Sequence, residues 1–418
     1  MADELGSQRR ASLGAVEPEA PRRFPKMHRA PWWAKVVVVF LLSRVVTTAL
    51  MLFFAARQQP NAWTGANPGY ADFASIWDGH WYYIISVAGY PSELPITADG
   101  HVGESAWAFM PAYPAVVRLL MLVTGLGFPE LAVFVSVACA LGAALVFYRL
   151  LALVLPAETA LFSVVLFCVA PLSPILQVSY AESMHLLLLV TALYLLVQRR
   201  YWMLLPVVAV MSLTRPSGLA FALTLALHVG YRFWRRRAEE FPVRERVASV
   251  TAALFSAASG FAWPAVAWAI TGSPTAYTDT ELAWRAPYIG YQELVPLTPW
   301  FKAAGFWAGQ WGIPVALLVV ILLLAVVGFF ASLFTPWAKR LGVDLRFWLA
   351  SYALYLLAVF FPQSSTFRLL VPLFPALGAL AQPRSAWYRA SLVVVLVAGQ
   401  AAWVNLGWWV DGYDWTPP

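Results

Sequence analysis

The sequence predicts an all-α polytopic membrane protein, and two observations carry this prediction. Of the 418 residues, 61% are hydrophobic and 12% are charged, a composition outside the usual range of soluble domains. Long apolar runs recur from Trp32 onwards, and many approach the roughly 20 residues that a helix needs to cross a bilayer. Most of the chain is therefore expected to lie in lipid.

The N-terminal segment has a different character. Residues 1–31 are polar and rich in alanine, proline, glutamate and arginine, which predicts a disordered cytoplasmic tail next to anionic lipid. The apolar run that follows, residues 32–56, is too long for the hydrophobic region of a signal peptide and predicts a retained anchor. We therefore expect residues 32–418 to form a single integral membrane domain.

The distribution of arginine and lysine orients the apolar runs. With a cytoplasmic N-terminus in the cell membrane, about eleven crossings satisfy the positive-inside rule. Arg149, Arg199 and Arg235 then lie at cytoplasmic ends, and such basic clusters indicate the cytoplasmic side rather than nucleic-acid binding. The expected crossings are residues 33–55, 129–150, 157–173, 181–198, 201–214, 217–233, 248–270, 306–334, 346–361, 368–382 and 387–410.

One apolar segment, residues 107–128, is assigned to the outer surface instead. Counting it as a crossing would reverse the side of every later basic cluster, and its Pro111 and Arg118 suit a helix at the outer interface. The assignment leaves two large extracytoplasmic loops, residues 56–128 and 271–305. Polar groups that converge on this side would meet a substrate with a polar head and a lipid tail.

The first outer loop contains the stretch SIWDGHWYYIISVAGY, residues 75–90, with one acid among many aromatic side chains. Partial desolvation by these rings would make the Asp78 carboxylate a stronger general base. Aromatic faces also suit sugars, so the neighbours are candidate substrate contacts: Trp77, His80, Trp81 and Tyr82. The alternative is an interfacial aromatic belt around an ordinary loop aspartate.

A second candidate stretch, LSPILQVSYAESMHLL, covers residues 172–187 at the outer end of a crossing. It places Tyr180 and Glu182 where a carboxylate is costly unless it faces the bundle interior or a water-filled cavity. Both are candidate substrate-binding residues, and Glu182 would bind hydroxyl groups or a cation. The alternative is a capping box, in which Ser179 and Glu182 close the start of a helix; the two interpretations are compatible.

Two short outer turns each carry an arginine against the positive-inside trend. SLTRPSG contains Arg215, and PQSSTFRLLVPLFP contains Arg368 after Ser364 and Ser365. An arginine fork matches a phosphate group, and hydroxyls at a helix N-terminus supply further donors. Both turns are therefore candidate sites for a donor phosphate, with the serines as substrate contacts. The alternative for each arginine is snorkelling to lipid headgroups.

The remaining polar features carry less information. Arg44 lies inside the first crossing, where an ionised side chain is usually functional or paired. In the second outer loop Glu281 and Arg285 suit an acceptor-side or lid segment, or equally a solvated loop. The five histidines lack metal-binding spacing and no Gly-rich phosphate loop is present, so no cofactor is predicted. The outer carboxylates could still recruit a divalent ion.

Five stretches in chain order resemble the sequence blocks of the PIG-V class of mannosyltransferases, which are polytopic enzymes of the GT-C fold. The blocks run from residue 76 to about 375 and read IWDGHWYYIISVAGYP, FMPAYPAVVRLL, YAESMHLLLLVTALYLL, SLTRPSGLAFAL and SSTFRLLVPLFP. The composition resembles that of an actinobacterial-like member. The resemblance implies a GT-C bundle with extracytoplasmic juxtamembrane helices in the first outer loop.

The resemblance also implies a reaction. Such an enzyme takes mannose from a polyprenyl-phosphate-mannose donor and passes it, with inversion, to a hydroxyl of a lipoglycan, a cell-envelope glycan or a protein. By position in the blocks, Asp78 corresponds to the general base, and Arg215 or Arg368 holds the donor phosphate. Glu182 matches the acid of the Tyr-x-Glu-Ser block. The expected partners are the donor lipid, a glycan, glycolipid or protein acceptor, and membrane lipids.

Three other functions stay open at this stage. The donor sugar could be another polyprenyl-linked sugar such as arabinose, or the protein could be a transporter or flippase of a lipid-linked sugar, or a scaffold without enzyme activity. A transporter predicts inverted repeats or paired broken helices near the membrane midplane, which the sequence does not display. The enzyme hypothesis requires that Asp78, Glu182, Arg215 and Arg368 share one cavity.

Overall fold

The computed structural model describes residues 30–292 and 295–410, and within these ranges the chain is helical. The only extended pairing in them is an isolated antiparallel bridge between Ile96 and Val102. The all-α class predicted from the apolar runs is therefore confirmed. Of the predicted cytoplasmic tail, residues 1–29 lie outside the described residues.

The N-terminal half alternates long and short helices. Two 3₁₀ turns, Ala106–Ala108 and Ser173–Gln177, connect some of them. The helices are α1 (Trp32–Ala55), α2 (Tyr70–Phe73), α3 (Asp78–Ala88), α4 (Ala112–Thr124), α5 (Phe128–Leu151), α6 (Ala157–Val169), α7 (Glu182–Val197), α8 (Tyr201–Ser212) and α9 (Gly218–Arg235).

The C-terminal half is built in the same way. It also contains a 3₁₀ turn, Val371–Ala376, and a π-helical turn, Val404–Trp408. The helices are α10 (Val243–Thr271), α11 (Ala276–Ala283), α12 (Ala286–Ile289), α13 (Pro299–Trp311), α14 (Val315–Ser332), α15 (Pro336–Lys339), α16 (Val343–Val359), α17 (Thr366–Leu369), α18 (Leu377–Leu380) and α19 (Ala386–Trp403).

Five segments of the described chain are long and apolar enough to cross a membrane: α1, α5, α10, α14 and Ala386–Trp408. Helix α14 has no buried residue, so apolar side chains cover its whole outer surface, as on a lipid-facing helix. The chain is therefore a membrane protein. Other apolar helices are shorter, so the number of crossings and their orientation stay predictions.

Helix α4 lies inside the segment assigned to the outer surface. Its 13 residues extend about 20 Å, which is short of the ~30 Å hydrocarbon thickness of a bilayer. Gly125 ends the helix in the left-handed conformation. Helix α4 is therefore too short to cross alone, as α6 and α8 also are, and its place at the outer interface stays a prediction.

The predicted crossing at residues 306–334 is wrong as a single helix. The segment contains two helices, α13 and α14, separated at Gly312–Pro314. Gly312 has a φ of +64° and Pro314 removes a backbone donor, and together they end one helix and start the next. Helix α13 begins at Pro299, inside the predicted second outer loop, and the membrane bounds of that loop stay a prediction.

The predicted crossing at residues 368–382 is also wrong as a single helix. The region consists of α17, the Val371–Ala376 turn and α18, each of them only four to six residues long. Pro372 and Pro375 cannot donate in a regular helix and break it into short turns. As a result, Arg368 lies on a short helix rather than at the start of a long one.

Helices α9 and α10 pack against each other through glycine. A Cβ added at Gly218 would lie 2.8 Å from the Cα of Gly260 and 2.5 Å from the Oγ of Ser212. The hydroxyl of Ser256 donates to the carbonyl of Gly218 at 2.9 Å. The close approach fixes the start of α9 and therefore the turn before it, which contains Arg215.

Arg44 of α1 has a structural role. Its guanidinium donates to the carbonyls of Ser173 and Cys168 at 2.9 and 2.8 Å, and to Oε1 of Gln177 at 3.0 Å. These acceptors compensate for the burial of the charge. The hydroxyl of Tyr70 also donates to the Gln177 carbonyl, at 2.9 Å. Arg44 thus anchors the 3₁₀ turn that leads into α7.

Candidate active site

The helices surround a cavity of about 490 Å³. Its wall is built by α3, α7, the turn before α9, α11, the end of α16 and the region of α17. The acidic and arginine side chains on this wall are Asp78, Glu182, Arg215, Glu281, Arg285 and Arg368. Because three are acids and three are arginines, their formal charges cancel.

Asp78 is the first residue of α3, and distant parts of the chain hold it in position. The preceding Trp77 has a φ of +58°, a strained conformation for a residue other than glycine. Its buried indole donates to the carbonyl of Trp408 at 3.1 Å, and the indole of Trp408 donates to the carbonyl of Phe73 at 2.9 Å. The N–H of Asp78 donates to the hydroxyl of Tyr180 at 3.2 Å.

A chain of ion pairs runs along the wall. Nη1 of Arg368 donates to Oδ2 of Asp78, and Nε of Arg368 lies 3.6 Å from Oε1 of Glu182. The same Glu182 oxygen lies 3.4 Å from Nη2 of Arg215. Neither Glu182 oxygen has a hydrogen-bond partner within the described residues. Glu182 is therefore held between two guanidinium groups by charge, with capacity to accept further hydrogen bonds.

Both arginines remain charged despite their burial. Desolvation alone would lower the pKa of Arg368, but the Asp78 and Glu182 carboxylates raise it above its ordinary value. Burial likewise lowers the pKa of Arg215, but nearby groups, chiefly the Glu182 carboxylate, raise it by more. The pKa of Arg215 therefore lies above its ordinary value. Two fixed positive charges thus line one cavity, where partial burial strengthens their interaction with an anion.

His185 supports the position of Arg215. Its Nε2 and the hydroxyl of Ser217 form a hydrogen bond of 2.8 Å, which joins α7 to the turn before α9. Both residues are buried and both line the cavity. The bond keeps the turn beside Glu182, one helical turn earlier on α7.

The four groups required by the enzyme hypothesis share the cavity. Asp78, Glu182, Arg215 and Arg368 come from blocks far apart in the chain, and the structure brings them into contact. Three further predicted contacts also line the cavity: Tyr82, Ser364 and Ser365.

The other predicted substrate contacts are placed elsewhere. Trp77, His80, Trp81 and Tyr180 are not among the residues that line the cavity. His80 is exposed, with its ring 5.4 Å from that of Trp63. These four aromatic residues lie around Asp78, but their side chains do not line the cavity in which a substrate would bind.

Trp81 and Tyr180 illustrate this packing. Trp81 stacks on Phe109 with ring centroids 5.7 Å apart. The ring of Tyr180 lies 5.2 Å from the guanidinium carbon of Arg368, and its hydroxyl accepts from the backbone of Asp78. Tyr180 therefore supports both members of the Asp78–Arg368 pair from behind.

The predicted capping box is not formed. Helix α7 begins at Glu182 after Ala181, and no side chain caps it. The hydroxyl of Ser179 instead forms a 2.6 Å hydrogen bond with the hydroxyl of Ser75, between the region before α3 and the region before α7. Glu182 is consequently free to take part in the ion-pair chain.

Several cavity residues had no clear signal in the sequence. Tyr352 and Tyr355 lie on α16 and read as ordinary aromatic residues of an apolar helix. In the second outer loop, the sequence indicated a functional role only through Glu281 and Arg285, which suit an acceptor-side or lid segment. The solvated-loop interpretation is wrong for this region, because Ala276, Thr280 and Arg285 are buried.

The cavity acids do not form a metal-binding cluster of their own. Within residues 30–292 and 295–410, no group of three or more histidine, cysteine, aspartate or glutamate residues is placed to hold a metal ion. The cavity carboxylates Asp78 and Glu182 are instead paired with arginine.

No family model and no curated protein matches the chain. Among solved structures, it is similar to the crystal structure of the Archaeoglobus fulgidus oligosaccharyltransferase tethered to an acceptor peptide, with a TM-score of 0.41, 11% identity and coverage of 87% of this chain and 53% of that one. It is also similar to archaeal oligosaccharyltransferase AglB from Archaeoglobus fulgidus in complex with an inhibitory peptide and dolichol-phosphate. That match has a TM-score of 0.38 and 13% identity, and it covers 89% of this chain and 50% of that chain. The chain thus spans about half the length of these structures, and matches at this level decide neither fold nor function.

Proposed function

We propose that the protein is an inverting glycosyltransferase of the GT-C class that moves mannose from a polyprenyl-phosphate-mannose donor to an acceptor hydroxyl. The acceptor belongs to a lipoglycan, a cell-envelope glycan or a protein, on the extracytoplasmic side of the cell membrane. The observation that carries the proposal is the largely buried ion-pair chain from Asp78 through Arg368 and Glu182 to Arg215. A carboxylate base and guanidinium groups for a phosphate are what this reaction needs.

The size and the apolar edge of the cavity support a lipid-linked donor. A volume of about 490 Å³ lies within the ~300–1,000 Å³ of small-molecule sites. Phe261 of α10 lines the cavity and is 61% exposed, and several other apolar side chains of this helix are exposed as well. A polyprenyl tail that leaves the cavity there would continue along the apolar surface of α10 in lipid, while its sugar phosphate stays inside.

The donor phosphate and Asp78 compete for the same guanidinium. In the structure Arg368 donates to Oδ2 of Asp78, so this carboxylate oxygen already accepts a hydrogen bond from a guanidinium. A phosphate bound between Arg215 and Arg368 draws the second arginine towards itself. Donor binding therefore frees Asp78 for the acceptor hydroxyl, so that base activation follows occupation of the donor site.

The charges balance through the transfer. The acceptor oxygen attacks the anomeric carbon, the bond from that carbon to the phosphate oxygen breaks, and the acceptor proton passes to Asp78. The leaving phosphate gains one negative charge while Asp78 loses one. Arg368, no longer paired with Asp78, follows the charge to the phosphate and stabilises it. Attack from the face opposite the phosphate gives inversion.

The test supplies labelled polyprenyl-phosphate-mannose to membranes that contain the wild type or Asp78→Asn. Loss of the base is expected to lower transfer by about 100- to 10,000-fold. Asp72→Asn is the matched control, because Asp72 is an exposed acid just before α3 and does not line the cavity. Equal transfer by the wild type and Asp78→Asn would refute the assignment of the base.

The choice of donor provides the second outcome. Transfer from polyprenyl-phosphate-arabinose but not from the mannose donor would keep the mechanism and correct the sugar. Movement of the labelled lipid across the membrane, with no sugar transferred by the wild type, would replace the enzyme with a flippase.

A further inference from the structure

Three unpartnered polar atoms belong to residues of the cavity wall, two of them at its α11–α12 side and one in the segment between α16 and α17. The indole N–H of Trp284, Nη1 of Arg285 and Oε1 of Gln363 are buried without a hydrogen-bond partner within the described residues. All three residues line the cavity. Buried polar groups are normally paired, so two donors and one acceptor left open in the same cavity point to a ligand that pairs with them.

The charge on this wall selects a neutral ligand. Glu281 lies four residues before Arg285, on the same wall, and the two formal charges cancel. Burial raises the pKa of the Glu281 carboxyl, and the Arg285 charge and Tyr277 offset this only in part. An anion would gain little from such a pair, whereas a hydroxyl can donate to the carboxylate and accept from the guanidinium.

Aromatic rings complete the wall. Tyr277 of α11 and Tyr355 of α16 both line the cavity near Glu281. Flat rings beside several hydrogen-bonding groups match a sugar ring, which has apolar C–H faces and several hydroxyls. A serine or threonine acceptor presents one reactive hydroxyl and no ring whose C–H face could lie on these aromatic side chains.

This wall is attached firmly to the loop of the base. The ring of Trp284 contacts that of Trp81 on α3, with centroids 5.6 Å apart. The hydroxyls of Ser105 and Thr280 form a buried hydrogen bond of 3.2 Å. A ligand held at the α11–α12 wall is thus kept at a fixed place relative to the helix that begins with Asp78.

We infer that the α11–α12 wall is the acceptor subsite and that it binds a sugar residue of a glycan or glycolipid, in preference to a protein side chain. The inference rests on the proposed transferase function and narrows its acceptor. Arg285 and Glu281 hold hydroxyls of the acceptor sugar, Trp284 and Gln363 complete the hydrogen bonds, and the hydroxyl to be modified points towards Asp78.

The experiment measures transfer to a short alkyl oligomannoside with the wild type, Arg285→Gln and Glu281→Gln. Each substitution is expected to raise the acceptor KM by about 10- to 100-fold, the loss of one hydrogen bond to a charged group. The donor KM and the kcat at saturating acceptor should stay within about twofold of the wild type. Arg118→Gln, an exposed arginine of α4 that does not line the cavity, is the control.

Two features keep the test decisive if a variant folds poorly. Arg285 also donates to the carbonyl of Val359 at 2.9 Å, so its loss can loosen α12, whereas Glu281→Gln leaves that bond intact. An increase in donor KM instead of acceptor KM for Glu281→Gln would refute the subsite. A serine-containing peptide that is a better acceptor than the oligomannoside for the wild type would also refute it.

Direct binding separates failure of the inference from failure of the proposed function. The oligomannoside is titrated into detergent-solubilised wild type and Glu281→Gln without any donor. Binding by the wild type that weakens in the variant supports the subsite even where no transfer is detected, and the transferase proposal then fails alone. If transfer is detected but the wild type and Glu281→Gln bind the oligomannoside equally, the acceptor subsite is refuted and the transferase proposal stands.

Discussion

The substitution Glu182→Gln tests the ion-pair chain at its centre. Glu182 is buried between two guanidinium groups, and its side chain is 6% exposed. Glutamine has nearly the same shape, so the substitution removes one negative charge and changes little else. Arg215 then loses its close carboxylate, and Arg368 keeps only Asp78. Two effects of opposite sign follow, one on stability and one on donor binding.

The effect on stability follows from the distances. At 3.4 and 3.6 Å and an effective dielectric constant of about 20, each ion pair of Glu182 has a Coulomb energy of about 5 kcal/mol. Release of the carboxylate from its desolvation penalty offsets much of the sum. Breaking a buried pair by removing one partner typically costs about 3–5 kcal/mol, and we expect a loss of stability in that range.

The effect on the donor has the opposite direction. A phosphate bound between the two arginines would lie roughly 7 Å from the Glu182 carboxylate, a repulsion of about 2 kcal/mol at the same dielectric constant. Removal of that charge should tighten donor binding by about 30-fold. A less stable protein that binds its donor more tightly is a combination that general damage to the fold does not produce.

The assay combines thermal unfolding in detergent with titration of the polyprenyl-phosphate-sugar donor. Glu158→Gln is the matched control, because Glu158 also lies in the first turn of a helix but is exposed. Unchanged stability in Glu182→Gln would show that the ion-pair chain is not formed as described. Weaker donor binding by tenfold or more would show that Glu182 contacts the donor itself, for example through a sugar hydroxyl.

Two further predictions concern packing and pH. Gly218→Ala should lower stability by about 1–3 kcal/mol in the same unfolding assay, because the new Cβ would meet the Gly260 backbone. The control is Gly230→Ala on the same helix, whose Cβ would meet open space and should leave stability unchanged. The acceptor KM should rise as the pH falls, starting above the ordinary glutamate pKa of 4.5, because the raised pKa of Glu281 makes its carboxylate lose its charge earlier. Tyr277, Arg285 and Arg215 face this carboxyl, and Glu281→Gln should flatten the pH profile; an unchanged profile would refute the role of Glu281.

Apolar run length was enough to predict regular crossings. The runs at residues 33–55 and 129–150 became Trp32–Ala55 and Phe128–Leu151, because every residue between their ends can stay helical in lipid. The same reasoning failed at residues 306–334 and 368–382. Hydropathy averages over glycine and proline, but a single Gly312 or Pro372 changes the backbone locally, so composition alone hides the break.

The candidate site was partly predictable because charged groups are rare in this chain. An isolated acid or arginine at the end of an apolar run has few explanations, which singled out Asp78, Glu182, Arg215 and Arg368 before their contacts were known. The partners of each charge could not be predicted, because they come from helices far apart in the chain. Tyr355 gave no signal, since a tyrosine in an apolar helix is common in protein cores.

The bond between the indole of Trp77 and the carbonyl of Trp408 also has a meaning for biogenesis. The two residues are 331 positions apart, and Arg368 follows Asp78 by 290 positions. During synthesis the loop with the candidate base therefore reaches the membrane long before either the indole clamp or the guanidinium partner exists. A partly inserted chain therefore lacks both the indole contact and the Asp78–Arg368 ion pair until insertion has proceeded past Trp408.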